Sequence, residues 1–241
     1  MDEVLHDHAY GALLRMRLGF PPSPNMDNIR HYCVSTRPRP RCTARDDPWH
    51  AMWCEGTQGA QIARHNALAS VLQTWITRAG GVVTLEPRDE RADPDDLRRT
   101  DLHVIMGTQR DIQVDVSVVH PTAPTYVAQG RAMRPLAAAK ARAREKRAKH
   151  QAAVEGLGHE FIPFVLESHG GFGPAANSFV QRLAYHAEAA GLASTPAAFI
   201  RHMKRALARR LFRANANLLA AALRRAHRGP RRPVAGGNGG G

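Results

Sequence analysis

The feature that most constrains this chain is an acid set inside a valine-rich run. From Ile112 to His120 the residues alternate, with Ile112, Val114, Val116 and Val118 on one side and Gln113, Asp115 and Ser117 on the other. Period-two alternation marks a strand with one apolar face. Carboxylates are depleted from strand interiors, where a charge must be desolvated, so Asp115 needs a reason to be there. Asp101–Met106 reads as a partner strand, and Gly107–Asp111 as the turn of a hairpin. Asp101 opens that first strand, where the plain alternative is an Asp bonding its own turn. With a suitable register, the hairpin would bring the two carboxylates to one end of a sheet. Held that close, they would repel each other without a cation.

Around this hairpin the chain reads helix, strand, hairpin, helix, strand, then helices. A short helix is expected over residues 5–19, with Ala9, Leu13, Met16 and Leu18 as its apolar side. The next helix, residues 58–79, carries Ile62, His65, Leu68, Leu72 and Ile76 along one stripe, widened by Val71 and Trp75, and Gly80–Gly81 closes it. A strand over Val82–Glu86 stops at Pro87, and residues 88–100 form a charged loop. Pro121 and Pro124 place a loop before an Ala-rich helix at 132–156, whose small side chains suit close approach to a sheet. A strand at Phe161–Glu167 and helices near 175–190 and 195–225 follow. The predicted class is therefore α/β, a small mixed sheet flanked by helices. The expected division is 1–57, 58–192, a basic helical extension at 193–225, and a disordered tail at 226–241.

The formal net charge of +13 points to a polyanionic partner, nucleic acid (DNA or RNA) first and an anionic membrane surface as the runner-up. Lysine occurs only as Lys140, Lys146, Lys149 and Lys204, so Arg supplies most of the basicity and each Lys is the more conspicuous. No acid follows Glu188, and Lys204, Arg205, Arg209, Arg210 and Arg213 make a candidate phosphate-binding face. A solvated basic face is the simpler alternative. No apolar run reaches membrane-spanning length, so no membrane partner is expected. The acidic N-terminus lacks the layout of a secretory signal, and an intracellular location is expected.

Between Ile29 and Glu55 apolar periodicity is weak. Cys33, Cys42, His50 and Cys54 could staple this segment around a tetrahedral Zn2+. Three buried thiols and a surface His are the alternative. On the 58–79 helix His65 falls on the apolar stripe beside Arg64, where a satisfied core histidine is as good a reading as a functional one.

Phosphodiester hydrolysis needs an activated water and a way to spread charge on phosphoryl oxygens. Divalent ions held by carboxylates, helped by a Lys, do both. On that chemistry Asp101 and Asp115 are candidate Mg2+ or Mn2+ ligands. The segments from about Leu13 to Leu183 also resemble the restriction-endonuclease-like domain that follows the reverse transcriptase in site-specific non-LTR retrotransposons. The resemblance is carried by Leu14–Gly19, His50–Cys54, Ala63–Asn66, Leu85–Pro87, Arg99–Asp101, Val114–Pro121, Lys146–His150, Phe161–Glu167 and Gly170–Pro174. It implies a PD-(D/E)xK nuclease fold with an α-β-β-β-α-β core, flanked by a small N-terminal Cys/His module and C-terminal basic helices. It also implies metal-dependent nicking of target DNA, a reverse transcriptase supplied on another chain, and a nuclear location.

In that group the motif lysine sits on the following helix. Ser117 then occupies the vacated strand position, and Lys146 and Lys149, three residues apart on one helix face, are the replacements. Glu86 is a candidate accessory ligand, with Arg64 and His65 as further accessory residues. Thr100 stands where the motif has Pro, and His150 where Tyr is usual. The literal Pro94 and Asp95 lie in the charged loop and are set aside. A catalytically inactive nucleic-acid-binding module of the same fold is the alternative function.

Overall fold

The computed structural model describes residues 7–18, 20, 47–85, 100–107 and 110–228. The chain divides into two compact units, Met1–Gln58 with Ala216–Gly241, and Gly59–Asn215. Cys33, Cys42, Glu86, most of the charged loop and the tail from Gly229 lie outside the described residues. Among the described residues no helix is long and apolar enough to cross a membrane.

In the first unit, helix α1 (Asp7–Arg17) ends two residues before Gly19. It buries Leu13 and Met16, whereas Leu18 is exposed. Two short 3-10 turns, His50–Met52 and Glu55–Thr57, follow. Thr57 pins them together by donating its hydroxyl to the carbonyls of Ala51, at 2.9 Å, and Cys54, at 2.7 Å. Ala51, Met52, Cys54, Leu218, Leu219 and Ala222 are buried in this unit.

The second unit holds α2 (Gln58–Arg78), β1 (Val82–Leu85), β2 (Leu102–Ile105), β3 (Ile112–Val119), α3 (Pro124–Ala128), α4 (Ala137–Gly156), β4 (Glu160–Glu167), α5 (Pro174–Ala189) and most of α6 (Pro196–Arg228). The sheet runs β1-β2-β3-β4. The first three strands are antiparallel neighbours, and β4 joins β3 in parallel. The chain is thus a mixed α/β protein with a four-stranded mixed sheet. Pro163 can sit inside β4 because an outer strand can lose a ladder donor.

The alternation in β3 does what its pattern requires. Ile112, Val114 and Val116 join Leu102, Val104, Ile162, Phe164 and Leu166 on one sheet face. Leu68, Leu72 and Ile76 of α2, Phe179 and Leu183 of α5, and Phe199, Met203, Leu207 and Leu211 of α6 cover that face. The first part of α6 therefore belongs to the core and not to a separate basic extension. Ile62 of α2 is exposed and lies off the stripe, whereas Arg64 is buried. On the opposite face, Ala138, Ala139 and Ala143 of α4 lie on Val119 and Val165. Small side chains permit that approach, and it brings the polar residues of α4 against Asp115.

Two elements differ from the periodicity. Pro124 begins α3 where a loop is expected, because its fixed φ and missing N–H suit the first helical turn. α4 starts at Ala137 and not near 132, since Pro135 precedes Leu136, whose φ of 59° is left-handed. At the end of α2, Gly80 has φ 88°, and the N–H groups of Gly80 and Gly81 donate to Thr77 and Ile76, closing the helix as a Schellman motif.

An L-residue at that φ is strained, and a Cβ on Gly80 would come within 3.1 Å of Leu192 Cδ1. Gly80→Ala is expected to cost about 1–2 kcal/mol in urea unfolding, with an unchanged m-value.

Candidate active site

The hairpin register decides the site. Leu102 pairs with Val114 and His103 with Gln113, and Asp101 lies just ahead of the paired residues. The Asp101 N–H donates to the Val114 carbonyl at 3.0 Å, one residue out of that register, so the regular pairing breaks at Asp101. The Asp101 carboxylate accepts the Val116 N–H and Asp115 accepts Lys146 of α4, which brings the two acids to neighbouring positions of β3.

Each carboxylate has its own partners. Asp101 Oδ2 accepts the Val116 N–H, and Oδ1 lies 3.0 Å from His65 Nε2. The hydrogen bond to Asp101 raises the His65 pKa above the usual imidazole value, against an opposing effect of burial. Asp115 is only 2% exposed. Its Oδ2 accepts Lys146 Nζ at 2.8 Å and faces His150 Nε2 at 3.5 Å, while Ser117 Oγ stands 3.4 Å from Oδ1. Burial lowers the His150 pKa, with Asp115 opposing, so that ring is held neutral. His150 also lies along the Phe161 ring, with centroids 5.7 Å apart, and its buried Nε2 has no hydrogen-bond partner among the described residues.

The helix residues that reach the site are thus four apart, not three. Lys146 and His150 point inward, and Lys149 is exposed. On a helix wrapped by 3.6 residues per turn, 146 and 150 stack along the face that α4 turns to the sheet. His150 had a motif position in the sequence but no assigned role, and only its burial against Asp115 marks it. Arg64 takes no direct part. Its Nη1 donates to Asn215 Oδ1 at 3.0 Å, and Asn215 Nδ2 donates to the Ser168 carbonyl at 2.9 Å, which ties α2 and α6 to the end of β4. Burial lowers the Arg64 pKa to about 10, so the group stays charged at neutral pH.

The donor chemistry suits a hard cation. Two neighbouring carboxylates offer the oxygen ligands that Mg2+ or Mn2+ takes, and Mg2+ commonly binds through one or two carboxylates plus substrate phosphate. Among the described residues no third His, Cys, Asp or Glu joins this pair in a three-ligand set. His50 and Cys54, of the proposed zinc ligands, are both buried in the first unit, with the Cys54 N–H donating to the His50 carbonyl at 2.9 Å. In α6, Lys204 donates to Asn177 Oδ1 and lies over the Phe172 ring. Arg205 and Arg209 are exposed, and Arg210 and Arg213 half-buried.

No protein-family model matches the chain, and no curated protein matches its sequence.

Two measurements follow from this geometry. Lys146→Met would leave Asp115 buried without its cation, and a cost of about 3–5 kcal/mol is expected; Asp115→Asn in the same chain should recover most of it. The second concerns His120, whose ring nitrogens lie 2.6 Å from Ser168 Oγ and 2.7 Å from Thr122 Oγ1. Burial, with His169 and Arg64 adding to it, pushes this imidazole from 6.5 down to about 3. The unfolded chain therefore takes up a proton that the folded chain refuses. Stability should be complete above about 6.5 and fall by up to about 1.4 kcal/mol per pH unit below it, levelling off near about 3. His120→Gln should flatten that slope in acid titrations of urea stability.

Proposed function

We propose that this chain is a metal-dependent DNA endonuclease of the PD-(D/E)xK, restriction-endonuclease-like type, related to the domain that follows the reverse transcriptase in non-LTR retrotransposons. One observation carries the reading: Asp101 accepts the N–H of Val116, the residue after Asp115, and Lys146 of α4 donates to the Asp115 carboxylate. Apart from the short α3 between β3 and α4, the element order α2-β1-β2-β3-α4-β4 supports it, since the resemblance implies an α-β-β-β-α-β core.

In this reading Asp101 and Asp115 hold Mg2+ or Mn2+, which supplies water activation and charge neutralisation at the phosphate. The chain's own residues prepare the site. The Val116 N–H and His65 orient Asp101. Lys146 sets an ammonium beside the pair, where it can face a phosphoryl oxygen. Neutral His150 and Phe161 wall the inner side. Exposed Arg205 and Arg209 supply phosphate contacts away from the chemistry. The partners are DNA and a reverse transcriptase on another chain, in the nucleus. A Zn2+ ion on Cys33, Cys42, His50 and Cys54 completes the proposal for the first unit.

One observation favours the alternative of an inactive nucleic-acid-binding module. Lys146 and His65 already offset the two carboxylates, so the pair can persist without a divalent ion.

Supercoiled plasmid with Mg2+ or Mn2+ separates the two readings. Wild type should nick it, Asp101→Ala and Asp115→Ala should abolish nicking, and Lys146→Ala should slow it by about 100-fold or more, while all variants still shift DNA in a gel. Equal background nicking by all four proteins, with the gel shift retained, would leave the binding module. Metal analysis of wild type beside Cys54→Ser tests the zinc module, and equal negligible zinc in both removes it.

A further inference from the structure

A second cluster lies on the same sheet face, two residues further along the hairpin. We infer that His103, Asp111 and His159 form a binding site for a zinc-class divalent transition ion, with a coordination position left open to water or an anionic oxygen. One ring nitrogen of each histidine and one carboxylate oxygen of Asp111 all lie within 4.8 Å of one another. Among the described residues no other set of three His, Cys, Asp or Glu does so. The assignment is independent of the nuclease reading.

Three strands converge to make it. His103 lies in β2 and pairs with Gln113 of β3. Asp111 immediately precedes β3, and His159 immediately precedes β4. The Glu160 N–H donates to the Asp111 carbonyl at 2.8 Å, which ties the last two segments side by side. His103 Nε2 and Asp111 Oδ2 are 2.9 Å apart, and the two imidazole rings stack with centroids 5.2 Å apart. All three residues are half-buried, so solvent reaches them.

The donor set selects the ion. Two imidazoles and one carboxylate suit zinc and its borderline neighbours, whereas the all-oxygen pair Asp101 and Asp115 suits Mg2+. Zinc bonds of about 2.0–2.2 Å require the three donors to close together slightly, a movement within side-chain reach. With three protein ligands, a tetrahedral ion keeps its fourth position for water or an anion.

A supporting shell is already present. Gln113 Nε2 lies 3.1 Å from His159 Nδ1, and Thr100 Oγ1 donates to Gln113 Oε1 at 2.6 Å. Turning the Gln113 amide over would let it accept from a protonated Nδ1, leaving Nε2 of His159 as the ligand. Thr100 would then accept from the amide. Along the strands His103 is about 7 Å from Asp101, whereas Asp111 and His159 lie about 13 Å from the level of Asp115.

Cobalt(II) is a direct probe, because its visible bands report ligand geometry and sulfur ligation adds a near-ultraviolet charge-transfer band. Titration of metal-stripped full-length Cys54→Ser protein, in which the thiolate set proposed for the first unit is disabled, should show a visible-band site with no sulfur band. In that background His103→Gln, Asp111→Asn and His159→Gln should each weaken it by about 100-fold or more, and Gln113→Leu by about 10- to 100-fold. Zinc should displace the cobalt and raise Tm in the Cys54→Ser protein but not once a triad residue is also changed. Circular dichroism identifies any variant that fails to fold, and the remaining two triad variants then decide. The site is refuted if cobalt binds the Cys54→Ser protein equally with and without the triad substitutions, if its spectrum there is thiolate-derived, or if the Cys54→Ser protein shows no site.

Discussion

Everything that could be chemical in this molecule depends on one backbone register. Pairing Leu102 with Val114 and His103 with Gln113 turns Asp115 and His103 away from the apolar face, and a slip of one residue would send such a group to the apolar side. That slip is prevented by the other side of the same strands. Leu102, Val104, Ile112, Val114 and Val116 are each no more than 1% exposed, and none could be turned outward without losing its burial. The apolar face therefore holds the polar face in register. The polar site owes its geometry to side chains that take no part in it.

Placing two carboxylates together raises an electrostatic problem, and the fold answers it from two directions. α2 lies over the apolar face but reaches around the sheet end with His65. α4 lies on the polar face and lowers Lys146 onto Asp115. His65 and Lys146 each meet an acid at hydrogen-bonding distance, so each carboxylate has a basic partner within the folded protein. The polar strip continues along the same face through Gln113 and His103 to Asp111 and His159, where the donors change from oxygen to mixed nitrogen and oxygen. One sheet face thus carries two clusters of different donor chemistry, oxygen at the aspartates and mixed nitrogen and oxygen at the histidines.

How much of this was legible depended on whether the signal was local. The alternation in Ile112–Val119 and the mid-strand acid were plain, and so were the two glycines that close α2. Lys146 was singled out in the sequence by the resemblance, and the structure places its ammonium on Asp115. Lys149 was misjudged, because spacing alone says which residues share a helix face but not which face meets the sheet. His150 is the residue that α4 turns inward. Ile62 and Arg64 exchanged places for a similar reason. Arg64 is buried because Asn215, far along the chain, accepts its hydrogen bond. The His103, Asp111 and His159 cluster has no linear spacing to betray it, since its members come from three separate segments.

By itself the sequence determined the elements: which runs alternate, which repeat at helical spacing, and where glycine or proline must end them. It also determined that an acid sits in a valine strand, because desolvating a carboxylate there has a cost that packing cannot explain. Only the tertiary structure decided which groups meet. Register, helix rotation and long-range polar partners are set by the collective burial of the apolar face, and no short stretch of sequence contains that information.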